Sequence, residues 1–433
     1  MKENGGENEC PKSEVNIHLR VALIGASSSG KSGLANRLWC EGFSEEASST
    51  SEIEFQLLGF SQEGGAILPQ NANLLRKDWW PELMTRAWKQ VKLIDLCGEA
   101  KYLKTLYFGL SAMEPDYALL LVDAERPLDP LALEHLGMAV ILEIPTIVVI
   151  SRCDLVEAEV LETRVAEVEA MLHSFQLGHR ILRNPTDLQP LVQDVINKKT
   201  TPIFTVSARS GSNVDLLRRA LFNLPARPRS QKSTGLSLVV TGTGKSPSGD
   251  LVLQTFVQSG VLKIASQLVM GPFNGRFLQS NLKSLYHNHL PVEEVSAGSV
   301  CTVVLKFWTA NLMRKMVERG MCLFENAPAL FDHIEANALV LASEGLKVGQ
   351  TFILLVDGVS RNVRLEKFDD GLPRVQAFWR GQIRLKVFKH PIFARTGSVF
   401  VLREGTIKLT GVITRLFEIG REFPSLLEDP PAS

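Results

Sequence analysis

The sequence predicts an α/β domain built on a parallel-type sheet, followed by two small β-barrels. Three observations predict it. Apolar strand-like runs alternate with helix-like segments from residue 18 to about residue 224. A loop rich in Gly and Ser separates the first such run from the first helical stretch. Beyond a polar stretch at 227–234 (R-P-R-S-Q-K-S-T) the texture changes to short apolar runs punctuated by Gly and Pro. Continuous apolar strands alternating with helices imply a sheet covered on both faces. Many short strands at close spacing imply barrels or sandwiches.

In the first region the strand-like runs are 20–25, 91–96, 117–122, 146–150 and 202–207. Amphipathic stretches at 32–38, 130–143, 157–175 and 213–222 carry apolar residues at helical spacing. In the second region strands are expected at 236–241, 251–257, 267–270 and 300–306, then at 352–356 and 411–416. A break at 325–331 (E-N-A-P-A-L-F) divides two barrel units. The expected organisation is a tail at 1–17, an α/β domain at 18–226, a linker at 227–235, barrels at 236–326 and 327–419, and a tail at 420–433.

Composition narrows the function classes. At 433 residues the chain exceeds one typical domain. Its 45% apolar and 22% charged content is that of a folded, water-soluble protein. The formal net charge is zero, so any contact with RNA must come from a local basic patch. No apolar run is long enough to span a bilayer. Residues 1–12 are polar and lack the apolar core of a signal peptide. Cys10, Cys40, Cys97, Cys153, Cys301 and Cys322 lie far apart with no Cys-x-x-Cys pair, which suits free thiols in a reducing compartment and a cytoplasmic location.

The sharpest motif is Gly25-Ala26-Ser27-Ser28-Ser29-Gly30-Lys31-Ser32, with Gly33 behind it. It satisfies G-x-x-x-x-G-K-[ST] after an apolar strand and before a helix. The glycines let the backbone wrap a phosphate, successive N–H groups point at its oxygens, and the helix adds its positive end. Lys31 would bridge the β- and γ-phosphates and Ser32 would offer its hydroxyl to Mg²⁺. A second string, Gly242-Thr243-Gly244-Lys245-Ser246, lacks the leading glycine and has no helix after it, so it reads as a β-turn.

Three further pieces follow in order at strand ends, where parallel sheets bind ligands. Asp95-Leu96-Cys97-Gly98 fits D-x-x-G; Asp95 would hold a Mg²⁺-bound water and the Gly98 N–H would reach the γ-phosphate. Ser151-Arg152-Cys153-Asp154 ends its strand on a carboxylate that accepts from both the ring N–H and the exocyclic amine of guanine, a donor pair adenine lacks. Ser207-Ala208-Arg209 would present a backbone N–H to the guanine oxygen. GTP and GDP with Mg²⁺ are therefore the expected ligands.

With these residues in place, the run at 95–110 (D-L-C-G-E-A-K-Y-L-K-T-L-Y-F-G-L) resembles the translational GTPases of the elongation factor Tu class. Within that class it is similar to the eukaryotic GTP-binding proteins one and two. Pro115-Asp116-Tyr117, Glu134-His135-Leu136-Gly137 and Leu402-Arg403-Glu404-Gly405-Thr406 carry the same resemblance. It implies a G domain with two β-barrels, a ribosome or tRNA partner, and Thr50 as the switch threonine that ligates Mg²⁺. The chain departs from the family at Glu99, where the family places a His that orients the attacking water. It departs again at Ser151, Arg152 and Arg209, where the family usually has Asn or Thr, Lys, and Lys. An ionised Glu99 beside a γ-phosphate is repelled, so GTP binding with slow hydrolysis is expected. The alternative is a nucleotide-gated scaffold.

Two surface features complete the reading. His287-Asn288-His289 would place two imidazoles on one face of a strand, an ordinary barrel surface rather than a metal site. Across 361–395, Arg361, Arg364, Lys367, Arg374, Arg380, Arg384, Lys386, Lys389 and Arg395 outnumber the acids, with Phe378, Trp379 and Phe388 interleaved. That segment reads equally as an RNA-binding face or as a solvated barrel surface.

Overall fold

The computed structural model describes residues 17–40, 53–69, 76–196, 200–227, 235–244, 250–264, 266–273, 275–307, 316–369 and 371–418. Thr50, Cys10, most of the expected linker and residues 245–249 lie outside the described residues.

The N-terminal domain is an eight-stranded sheet. Its strands are β1 (Ile17–Ile24), β2 (Glu54–Phe60), β3 (Ala66–Ile67), β4 (Lys89–Asp95), β5 (Tyr117–Asp123), β6 (Thr146–Ser151), β7 (Gly178–Leu182) and β8 (Thr200–Val206). Their spatial order is β3-β2-β4-β1-β5-β6-β8-β7. From β4 to β7 every pairing is parallel, while β2 and β3 join antiparallel at one edge. Helices α1 (Lys31–Trp39), α2 (Arg76–Arg86), α3 (Leu103–Ser111), α4 (Pro130–Ile141), α5 (Ala158–Ser174), α6 (Leu188–Ile196) and α7 (Val214–Asn223) cover both faces. Alternation splits β1 between two cores. Leu19, Val21 and Leu23 pack with α1, α6 and α7, whereas Ala22 and Ile24 pack with α3, α4 and α5. The start of α4 shows local coding: the Asp129 carboxylate accepts from the Leu131 N–H, and Pro130 occupies the first turn, where its missing N–H costs nothing.

The five strands and four helices expected from the sequence are present with bounds shifted by a few residues. The edge pair β2–β3, the exposed edge strand β7 and helices α2, α3 and α6 are additional elements. Pro81 inside α2 and Gly59 inside β2 obscure the periods of those two segments. Gly59 has a packing reason, since a Cβ there would fall 2.4 Å from Leu83 Cδ1 on α2.

Both C-terminal units are closed six-stranded barrels. The first uses Ser237–Gly244, Leu251–Ser259, Gln267–Phe273, Arg276–His287, Val300–Phe307 and Cys322–Phe324. It closes because Gln267–Phe273 pairs with both Arg276–His287 and Cys322–Phe324. The second uses Phe331–Val340, Thr351–Val356, Val359–Phe368, Arg380–Val387, Val399–Glu404 and Thr406–Glu418. Gly242-Thr243-Gly244 forms the end of a barrel strand, not a β-turn, because it pairs with residues 252–254. Asn288 and His289 have positive φ and turn the chain, so His287 and His289 do not share a strand face. The His289 ring packs 5.9 Å from Trp80 instead.

Helix α3, which follows the D-x-x-G segment, seats on both barrels. Tyr107 Oη donates to the Val399 carbonyl (3.1 Å), Arg319 Nη1 donates to Thr105 Oγ1 (3.0 Å), and Gln258 Nε2 donates to the Ala112 carbonyl (3.2 Å). Among the described residues no helix is long and apolar enough to cross a membrane.

Candidate nucleotide site

The loop between β1 and α1 folds as the motif demands. Gly25, Ser28 and Gly30 all take positive φ (133°, 62° and 85°), which bends the backbone tightly through the loop. At Gly25 a Cβ would lie 2.3 Å from the Leu121 carbonyl oxygen, so only glycine fits. Lys31 is buried, and its ammonium donates to the carbonyls of Gly25 (3.0 Å) and Ala26 (2.8 Å). Burial lowers the Lys31 pKa, and the nearby Asp95 carboxylate pulls it back up. The Ser32 hydroxyl donates to Asp95 Oδ2 at 2.6 Å, joining the first motif to the end of β4.

Gly98 presses on the same loop. A Cβ there would sit 2.4 Å from both the Gly25 oxygen and Lys31 Nζ. Next to it, Glu99 is partly buried and its carboxylate is 2.6 Å from the Lys101 ammonium. That hydrogen bond raises the Lys101 pKa.

The guanine-type motif lies across the sheet at the end of β6. Ser151 is buried, and its Oγ–H reaches the carbonyl oxygens of Ser29 (2.8 Å) and Val122 (3.2 Å). This serine braces the phosphate loop. Arg152, in the left-handed region, pairs with Asp123 (2.7 Å) and Glu125 (3.5 Å). The Asp154 side chain is exposed beside this motif. At the end of β8 the Ser207 N–H is taken by the Ser212 carbonyl, and its hydroxyl accepts from the Ser210 N–H (3.0 Å). Ala208 and Arg209 follow in the same turn.

His135, which the sequence presents only as part of a family-like string, braces the loop from α4. It is fully buried, and its Nδ1 accepts from the Gly25 N–H at 2.9 Å. Its Nε2 is buried with no hydrogen-bond partner among the described residues. Burial and the neighbouring Lys31 push its pKa down to about 3, so the ring is neutral. The Ser29 hydroxyl on the loop is likewise buried without a partner among the described residues. An orphaned hydroxyl, a curled run of backbone and a buried ammonium are what a bound polyphosphate requires. Among the described residues no cluster of three His, Cys, Asp or Glu could hold a metal alone. A Mg²⁺ here would rest on Ser32, water and nucleotide oxygens.

The basic segment of the second barrel divides into different roles. Arg384 is engaged by Glu335 at 2.6 Å, with side chains 13% and 4% exposed. Arg361 pairs with Glu318 (3.5 Å), and Arg395 donates to Ser237 Oγ (3.0 Å) across the barrel junction. Trp379 packs edge-on against the core Phe368 at 5.0 Å. Arg364 lies over Phe388 at 5.1 Å and stays exposed, as do Lys367, Arg380, Lys386 and Lys389. Phe378 is 77% exposed.

Residues 16–226 match the Elongation factor Tu GTP binding domain. The chain is 28% identical to GTP-binding protein 2 of Mus musculus over 434 residues, covering 93% of this chain and 70% of that one. It is 26% identical to GTP-binding protein 1 of Xenopus laevis, covering 96% and 66% respectively. The fold matches that of translation elongation factor SelB from Methanococcus maripaludis in complex with the GTP analogue GppNHp. That match has a TM-score of 0.67 at 17% identity and covers 94% of this chain and 81% of the other. The phosphate loop and the ordered strand-end motifs thus lie in a domain that matches the Elongation factor Tu GTP binding domain, and the chain with its paired barrels is similar over most of its length to GTP-binding proteins 1 and 2.

Proposed function

We propose that this translation-factor-like protein binds GTP and GDP with Mg²⁺ at the loop 25–33, works with the ribosome or tRNA in the cytoplasm, and hydrolyses GTP slowly on its own. The observation that carries this is the coupling of Ser32 to Asp95 beside a buried Lys31. Gly25, Ala26, Ser27, Ser28, Ser29 and Gly30 would cradle the phosphates with backbone N–H groups, and Gly33 would keep the helix start open. Asp154 would read the guanine donors. With the Ser207 N–H engaged by Ser212, the contact to the guanine oxygen falls to Ala208, and Arg209 flanks the base. Bound Mg²⁺ would neutralise charge between the phosphates, with Ser32 and Thr50 the residues to hold it and Asp95 holding a water bound to it. SelB is by name a translation elongation factor; the ribosome and tRNA are carried to this chain as part of the proposal. On the second barrel, Arg364, Arg380, Lys386 and Lys389 are the accessible phosphate contacts, whereas Arg384 and Arg361 are already engaged with carboxylates.

Calorimetry with GTP, GDP and ATP tests the base assignment. The expected result is binding of both guanine nucleotides, no binding of ATP, loss of binding in Lys31→Ala, and weakened guanine binding in Asp154→Asn. Equal affinity for ATP and GTP would overturn it. A second reading, a scaffold gated by nucleotide without turnover, is favoured by the Glu99–Lys101 pair. Single-turnover hydrolysis with and without ribosomes separates the two: stimulation by ribosomes supports the factor, and none supports the scaffold.

A further inference from the structure

On the sheet face opposite Leu19 and Val91, β1 and β4 place His18 beside Gln90 and Arg20 beside Lys92. This face is turned toward the first barrel, and Arg20 stacks 5.0 Å over the barrel residue Phe256. Between sheet and barrel lies a small cavity of about 60 Å³. His18, Arg20 and Lys92 line it from the sheet, and His287 and Ser299 line it from the barrel. Four basic side chains face this space, and no Asp or Glu is among the residues that line it.

The Arg20 charge is already answered, since its guanidinium stands 4.0 Å from the buried Asp116 carboxylate. Lys92 is different. Among the described residues neither the Lys92 ammonium nor the His287 ring has a hydrogen-bond or ion-pair partner. Lys92 is half-buried, and a cation partly withdrawn from water without a counter-charge is costly; proteins answer such sites with a partner or by shedding the proton. The second response is visible in both groups. Burial and Arg20 lower the Lys92 pKa to about 8, and burial and Lys92 lower that of His287 to about 4. Cys301, paired with His287 across the barrel, supplies no charge, because burial pushes its thiol up to about 11.

The geometry points to a binding site for a compact tetrahedral oxyanion, of the inorganic phosphate or sulfate class, at the joint between the sheet and the first barrel. Lys92 supplies the charge, His287 supplies an imidazole N–H donor, and Ser299 supplies a hydroxyl. The cavity holds about two waters' worth of volume, which suits an oxyanion head and excludes a nucleotide. It is distinct from the phosphate loop. His18 lies near the start of β1 and Gly25 just past its end, seven residues on, roughly 23 Å at strand rise. An anion held by Lys92 on one side and His287 on the other ties the G domain to the barrel.

The test is thermal unfolding of the full chain titrated with sodium sulfate or inorganic phosphate against sodium chloride at equal ionic strength. Sulfate stabilises most proteins by exclusion from their surface, an effect that grows without saturating. A bound anion adds a saturating component. That component is expected in wild type, to persist in Lys31→Ala, where the phosphate loop is disabled, and to weaken about tenfold or more in Lys92→Met, the effect of removing one charge-assisted hydrogen bond. Removing an unpaired charge from a partly buried site does not endanger folding, and unchanged GDP affinity in Lys92→Met confirms an intact G domain. A monoester such as phenyl phosphate separates sources: the small cavity accepts free phosphate and rejects the ester. No saturating component in wild type, an equal one in Lys92→Met, or preferential binding of the ester overturns the proposal.

Discussion

At the scale of single residues, two side chains near the phosphate loop set measurable behaviour. His135 is neutral in the fold with a pKa near 3, while an unfolded histidine titrates near 6.5. Between those values the unfolded chain binds the extra proton, so stability is complete above about pH 6.5 and falls as pH drops toward 3, by at most ~1.4 kcal/mol per pH unit for this one group. Urea denaturation across that window is expected to show a flatter acid limb in His135→Gln, which keeps an acceptor and loses the titration. An unchanged limb would show that His135 does not carry it. Glu99 is held by Lys101, and its carboxylate adds negative charge beside the D-x-x-G segment. We expect Glu99→His to raise single-turnover GTP hydrolysis, since a His positions water without adding repulsion. A sharp fall from a brisk wild-type rate on Glu99→His or Glu99→Ala would make Glu99 a working catalytic group.

At the scale of elements, helix ends need partners for their last carbonyls. Lys89 at the start of β4 is buried, and its ammonium donates to the carbonyls of Leu221 (3.1 Å), Phe222 (2.5 Å) and Leu224 at the end of α7. One lysine thereby closes a helix and fastens it to the sheet. Lys89→Met keeps most of the stem and leaves these carbonyls without the ammonium, so stability is expected to fall by about 1–3 kcal/mol. The midpoint of urea unfolding measures it, with the slope unchanged if the two states keep their exposed areas. A shift below measurement error would show that water replaces the ammonium without cost. Helix α3 is the complementary case. It follows the D-x-x-G segment and makes hydrogen bonds with both barrels, so the candidate nucleotide site and the barrels share one element.

At the scale of the whole molecule, zero net charge confines any RNA attraction to patches. Arg364 and Lys386 are register partners on neighbouring strands of the second barrel and are both exposed, with Lys389 close in sequence. Neutralising these three is expected to weaken ribosome or RNA association. The log–log salt slope should shrink by up to about 0.9 for each duplex phosphate that the barrel no longer neutralises. Filter binding across a salt series measures the slope. Identical slopes in variant and wild type would leave these residues as a solvated barrel surface.

Read by itself, the chain specifies the chemistry of the loop 25–32, the order of the strand-end motifs, and the division into an α/β domain and β-rich units. These are local properties: a φ-permissive glycine, an apolar period, a carboxylate at a strand end. The same alternation sends Leu365 and Leu385 inward and Lys386 outward. Other points depend on partners distant in the chain. Arg384 and Lys386 look equivalent in sequence, and only strand pairing puts Glu335 opposite the first. His287 and His289 look like one face, and only the positive φ of the turn separates them. His135 carries no local sign that its Nδ1 will accept from Gly25, 110 residues away. Lys92 reads as an ordinary strand cation until the barrel closes over it. Folding settles these points because charge and hydrogen-bond chemistry act through space over a few ångströms, and the separations in sequence that create those distances run to tens or hundreds of residues.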